Sequence, residues 1–283
     1  MHPIAKSLTV LALLIGVLYA TPARAETFNT CAGFIEALPA TISTQGVWCL
    51  NKNLSTAITS GDAITIATNN VTIDCNDFKI GGLAAGNSSQ TIGIHASNRQ
   101  NASVRHCNIR GFRYGIDLEG GAGHLVEDNR LDNNLYTGIY VTGDNNRVRR
   151  NAVYDTGGYP AFDYSFGIQA TADVIDNTVA GVFATATDTY PRGILITGGG
   201  NEARGNRVRG LVVAGAGTAR GLYANGPGIK LAGNHIAASA ATAGWGIFGF
   251  GGDTFCTDNT VSNFAVAQTS CEHNVDNLPA PAP

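Results

Sequence analysis

Apolar and polar residues alternate along this chain in short bursts, and the bursts return in two forms. One is Gly-apolar-x-small/apolar, beginning at Gly93, Gly115, Gly138, Gly167, Gly193, Gly221 and Gly246. The other is apolar-x-x-Asn-x-apolar, with its Asn at Asn76, Asn129, Asn151, Asn177, Asn206, Asn234 and Asn259; Cys107 fills the slot between Asn76 and Asn129. Successive slots lie 31, 22, 22, 26, 29, 28 and 25 residues apart. The stretch Tyr136 to Asn151, YTGIYVTGDNNRVRRN, shows both forms joined by a polar turn. Two-residue alternation predicts strands, and a repeat of this length predicts a solenoid built from them.

Strands this short cannot bury an apolar face alone. If the chain coils, each strand pairs in parallel with its counterpart about 4.8 Å away, and equivalent residues stack into columns. Ile, Val and Leu columns then fill the interior. The Asn column falls at a bend, where stacked amides bond one another and the turn backbone. The expected fold class is all-β: a parallel β-helix solenoid over residues 61–263. An N-terminal cap and first strands occupy 26–60, and a C-terminal cover with a disordered or PPII-like tail occupies 264–283. Cys31, Phe34, Ile35 and Leu38, between Asn29 and Pro39, have the spacing of a short amphipathic capping helix.

On these phrases the chain resembles the right-handed parallel β-helix family, the superfamily of pectate lyases and PbH1-repeat proteins, over roughly Ile64 to Val261. The resemblance implies a right-handed coil and, for function, a secreted protein concerned with polysaccharide; the repeat itself encodes the coil and not a site. Family enzyme signatures are missing. The polygalacturonase carboxylate set does not occur in order: Gly228-Ile229-Lys230 matches a fragment, and Ile175-Asp176-Asn177-Thr178 lacks the completing aspartate. Neither a pectate-lyase-like calcium cluster nor an epimerase-like Asp-Pro-His-Asp is present.

Composition agrees with many tight turns: 36 Gly in 283 residues, one Met and 14% charged residues, against a usual ~25% charged. Residues 1–25 read as a secretory signal peptide, with Lys6 before an apolar run from Leu8 to Tyr19 and Ala23-Arg24-Ala25 as the cleavage site. The run is too short to favour a membrane span. The chain is therefore expected to be secreted or periplasmic after cleavage near Ala25. Without Lys6 and Arg24, 16 basic residues face 21 acidic, a net of −5 with no nucleic-acid footprint. Six cysteines in an exported chain predict disulfides. Cys31–Cys49 would fasten the cap over the first coil, and Cys256–Cys271 would tie the last coil to its cover. Cys75 and Cys107, in neighbouring coils one slot out of register, form the third candidate pair.

The solenoid turns sequence spacing into neighbourhood. In Gly-Ile-x-Val the third residue faces outward, and that column reads His95, Asp117, Tyr140, Gln169, Leu195, Tyr223, Phe248. Two residues on, the next reads Ser97, Glu119, Thr142, Thr171, Thr197, Asn225, Phe250. His95, Asp117, Glu119 and Tyr140 thus form a candidate catalytic group. Asp117 with Glu119 would suit glycosidic hydrolysis at the ~6.5–9.5 Å spacing of inverting enzymes, and His95 and Tyr140 would suit proton abstraction in a uronate lyase or epimerase. Arg113 could meet a uronate carboxylate. The long inserts DTGGYPAFDYSF, GVFATATDTYPR and GLVVAGAGTAR should build a binding face, so Gln169, Tyr190, Arg192 and Tyr223 join Arg113 as candidate glycan-binding residues.

Against this stands a plain structural reading, in which polar columns only bond up and down the stack. It is the better account of Asp74, Arg105, Glu127, Arg149 and of His106, Asp128, Arg150, Asp176, which mostly alternate in charge coil by coil. Asp128 and Asp176 are also candidate calcium ligands; no other metal or cofactor is expected. Two functions are carried forward. One is a carbohydrate-active protein that binds or acts on an acidic polysaccharide as lyase, hydrolase or epimerase. The other is a non-catalytic surface or periplasmic interaction module. The discriminating observation is whether His95, Asp117 and Tyr140 share an accessible face.

Overall fold

The computed structural model describes residues 30–275 and 277–279. The expected signal peptide lies outside the described residues. Each coil contributes three strands, as in Leu125–Glu127, Arg130–Asp132 and Thr137–Val141. The first strands stack into an 11-stranded parallel sheet, and the second and third stacks join in an 18-stranded one. Register follows the repeat. Val126 pairs with Val104 and Val148, Leu131 with Ile109 and Val153, and Ile139 with Ile116 and Ile168. These columns have no solvent exposure and form one continuous core.

The corner between the first two strands explains the Asn phrase. His106, Asp128, Arg150 and Asp176 all have φ between 51° and 55°, so one left-handed residue turns the chain. The following Asn points inward and is almost fully buried. Backbone N–H of Asn129 donates to Asn151 Oδ1 at 3.1 Å, and the relay runs on through Asn177, Asn206, Asn234 and Asn259 at 2.9–3.0 Å. It ends at Asn277, one rung beyond the last Asn of the sequence phrase; Leu278–Pro279 then pairs with Thr260 and Val261. The last rung therefore falls within what the sequence suggested as tail.

The capping helix is not formed. Gly33–Phe34 is instead a strand, with Gly33 opposite Trp48 and Phe34 opposite Cys49. An isolated helix of about eight residues is marginal in water, whereas a strand here satisfies the open edge of the first coil directly. Gly33 also lies flat on the Trp48 ring, where a Cβ would come within 2.6 Å. All three disulfides are present, Cys31–Cys49, Cys75–Cys107 and Cys256–Cys271, with Cα separations of 5.8, 4.7 and 5.7 Å. Among the described residues no helix is long and apolar enough to cross a membrane.

Candidate functional site

Glycine places the site. A Cβ on Gly138 would meet Val153 Cγ1 at 2.5 Å and the carbonyl oxygen of Gly167 at 2.6 Å, so only glycine lets neighbouring coils approach there. The glycine breaks strict alternation, so the residue before it and the residue two after it both face outward. The second of these columns is the expected one. Asp117 pairs with His95 and Tyr140, Tyr140 with Gln169, Gln169 with Leu195, and Leu195 with Tyr223. Glu119 pairs with Ser97, beside Asp117 on the same face.

His95, Asp117 and Glu119 each bring one ligand-type atom to within 4.8 Å of the others. Asp117 is buried, and its Oδ1 has no hydrogen-bond partner. Burial raises its carboxyl to about 7, with Glu119 adding to the rise and His95 opposing it. His95 is raised, chiefly by the hydrogen bond between its Nδ1 and Asp62 Oδ2 at 2.8 Å. Asp62 is lowered: burial works against this, but the bond to His95 prevails. Asp62 Oδ2 also accepts from Thr65 Oγ1 at 2.9 Å. Burial and the Asp117 carboxylate raise Tyr140.

Sequence reasoning missed Asp62. It sits in Asp62-Ala63-Ile64-Thr65-Ile66, where Ala63 occupies the glycine slot, and Asp62 pairs with Ile92 just before Gly93. Reading the phrase with Ala allowed in place of Gly would have found it. The same column, the residue before each glycine, holds Tyr114, Thr137, Phe166, Arg192, Arg220 and Trp245. Tyr114 and Arg220 were missed because the sequence phrase was read from its glycine onward and not from the residue before it, and Tyr136, one position earlier still, was missed with them.

That column and the inserts form a second apolar cluster outside the coil, with Leu135, Tyr136, Tyr159, Phe166, Leu195 and Tyr223 buried in it. Three guanidiniums lie against its rings. Arg113 is 5.2–5.9 Å from the centroids of Tyr114, Tyr136, Tyr159 and Phe162. Arg192 is 5.0–5.6 Å from Tyr164, Phe166 and Tyr223, and Arg220 is 4.2–5.7 Å from Tyr223, Trp245 and Phe248. Among the described residues none of the three has a carboxylate within ion-pair distance. Burial, then Arg220 nearby, lowers Arg192.

The remaining expected residues continue the strip rather than join the acidic group. Gln169 is half-buried, one rung beyond Tyr140, and its amide has no hydrogen-bond partner among the described residues. Tyr190 pairs with Tyr164. Arg192 and Tyr223 lie three and four rungs from Asp117, which at about 4.8 Å per rung is roughly 14–19 Å. The charge columns behave as ladders: Arg105 bonds Asp74, Arg149 bonds Glu127, and Arg150 bonds both Glu127 and Asp128. Arg150 stands between Asp128 and Asp176 in the stack, which separates the two proposed calcium ligands. A polar groove of about 600 Å³ opens elsewhere, lined by His124, Asn146, Arg147, Asp173 and Asn201, and none of the expected site residues borders it.

Comparisons with known proteins return the same architecture. The chain is similar to the Dettilon tailspike protein, at 14% identity and TM-score 0.51, over 83% of this chain and 54% of that one. It thus spans about half the length of the tailspike chain. It is also similar to the Azotobacter vinelandii mannuronan C-5 epimerase AlgE4 A-module, at 13% identity and TM-score 0.52, over 84% of this chain and 80% of the module. At such identities the likeness is one of fold. No curated protein matches the sequence. The family model described as the right-handed beta helix region matches residues 45–210, more than half of the chain, and the protein belongs to that right-handed β-helix family.

Proposed function

We propose that this protein binds an acidic polysaccharide along the outer face of the Gly-Ile-x-Val strands. The observation that carries the reading is the row of guanidiniums at Arg113, Arg192 and Arg220, each held against aromatic rings and, among the described residues, none in an ion pair with a carboxylate. A sugar ring stacks on an aromatic face, and a uronate carboxylate meets a guanidinium in a charge-assisted pair. The repeat sets these groups at rung intervals along the stack, which suits an extended polymer better than a compact ligand. The likeness to a mannuronan epimerase module is one of fold and adds no weight to this assignment. Three disulfides are compatible with a location outside the cytoplasm.

Titration calorimetry with alginate, polygalacturonate and neutral dextran tests the reading. Binding of the acidic polymers but not dextran is expected, weakening as salt rises. Losing two charged contacts in Arg192→Ala/Arg220→Ala should lower affinity about tenfold or more. Equal binding of dextran, or an unchanged affinity in a folded double variant, would overturn the proposal.

A second reading adds catalysis, because His95, Asp117 and Tyr140 occupy three adjacent rungs at one end of the strip. Groups so placed could move a proton beside a bound uronate carboxylate. Absorbance of unsaturated chain ends, together with a reducing-end assay, separates lyase from hydrolase. Turnover abolished in Asp117→Asn supports catalysis; binding with no turnover on any uronate polymer supports the non-catalytic module.

A further inference from the structure

We propose that His95, Asp117 and Glu119 bind a divalent transition-metal ion of the zinc class, with Asp62 orienting the histidine. The inference does not rest on the glycan reading. Three observations meet at this point. The first is proximity: one ligand atom from each residue lies within 4.8 Å of the others. A metal with bonds of about 2.0–2.2 Å draws its ligand atoms to within about 3.5 Å of one another. The remaining closure needs side-chain rotation, which is easiest at Glu119 because it is exposed.

The second is the state of Asp117. The residue is 6 % exposed, and its Oδ1 has no donor among the described residues. A buried carboxylate oxygen without a partner is costly, and among the described residues no Lys or Arg lies within ion-pair distance of either Asp117 or Glu119. A bound cation would satisfy that oxygen.

The third is the Asp62–His95 bond. Asp62 Oδ2 lies 2.8 Å from His95 Nδ1 and is itself held by Thr65 Oγ1 at 2.9 Å. With Nδ1–H donating to the carboxylate, the Nε2 lone pair is left as the ligand, which is how metal-binding histidines are commonly oriented. One imidazole with two carboxylates favours a borderline ion over calcium, which takes oxygen ligands in larger number. His95 and Asp117 stand on adjacent strands of a continuous sheet, so the backbone fixes their spacing before any ion arrives.

The test is calorimetric titration of the full mature chain, stripped with chelator, against Zn²⁺ and Ca²⁺ with no polysaccharide present. One Zn²⁺ site is expected, tighter than any Ca²⁺ binding. Glu119→Gln, at an exposed position that cannot unfold the protein, should weaken Zn²⁺ at least tenfold, and His95→Ala should abolish the site. Asp62→Asn should weaken it about 10–100-fold through the histidine, whereas His273→Ala, on the C-terminal rung, should leave it unchanged. Absence of Zn²⁺ binding, Ca²⁺ bound more tightly than Zn²⁺, or a Zn²⁺ affinity indifferent to Glu119→Gln and Asp62→Asn would each overturn the proposal.

Discussion

The amide of Asn151 accepts from the backbone N–H and the Nδ2 of Asn129 and donates to Val126 O, Arg149 O and Asn177 Oδ1. Asn151→Ala strands several buried groups at once. At about 1–3 kcal/mol for each unsatisfied group, it should cost about 3 kcal/mol or more, read as a lower urea midpoint. A destabilisation under 1 kcal/mol would mean that the ladder only marks register. The charge columns lie outside and act more weakly. The hydrogen bond from Arg150 holds the Asp128 carboxyl below the usual carboxylate range. Its stabilisation is therefore present above the unfolded value of about 3.9 and is lost as pH falls through the lowered folded value. Thermal melts should show Asp128→Asn less stable than the parent at pH 7. That gap should close as pH drops below about 4, and salt should shrink it too. A gap that persists at pH 2 would count against the ion pair as its source.

Strands and corners obey different constraints. Along a strand the demand is side-chain fit, and the stacked Ile and Val columns supply it. At the corner the demand is one left-handed residue followed by a buried amide, so those two positions tolerate little else. The coil carrying Cys75 departs from this rule. Asp74 pairs with Arg105 and Lys79 with Asn108. Four residues, Cys75 to Phe78, thus stand where the next coil has only His106 and Cys107. The bulge shifts Cys75, rather than Asn76, against Cys107, and the disulfide replaces the missing rung of the amide ladder. In the chain-entropy account, cross-linking residues separated by 32 positions stabilises by about 3–4 kcal/mol. Cys75→Ala/Cys107→Ala should lower stability by about that amount in a denaturant series, with the other two disulfides intact. The N-terminal cap obeys edge physics for a related reason: a strand edge is best closed by another strand.

For the molecule as a whole, a formal net charge of −3 would repel a polyanion. The proposed binding therefore depends on where the guanidiniums sit and not on overall charge. The coil, its inward columns, the Asn corner, the charge ladders and the His95–Asp117–Tyr140 row were legible because a fixed period makes vertical neighbours a matter of counting. The Cys75–Cys107 pair was legible for the same reason, even though a bulge moved the register by one, whereas Cys31–Cys49 and Cys256–Cys271 were read from the need to close the two ends of the solenoid. The helix expected over residues 31–38 was not, because periodicity over eight residues does not reveal a free sheet edge waiting to be paired. Nor were Asp62 beneath His95, the gathering of Tyr136, Tyr159 and Phe162 around Arg113, or the unpartnered oxygen of Asp117. The sequence by itself determined which residues share a column, since parallel pairing conserves order. Only the tertiary structure decided which outward side chains meet, because inserts of unequal length carry no period, and their side chains settle wherever apolar area and unpaired charge are best accommodated.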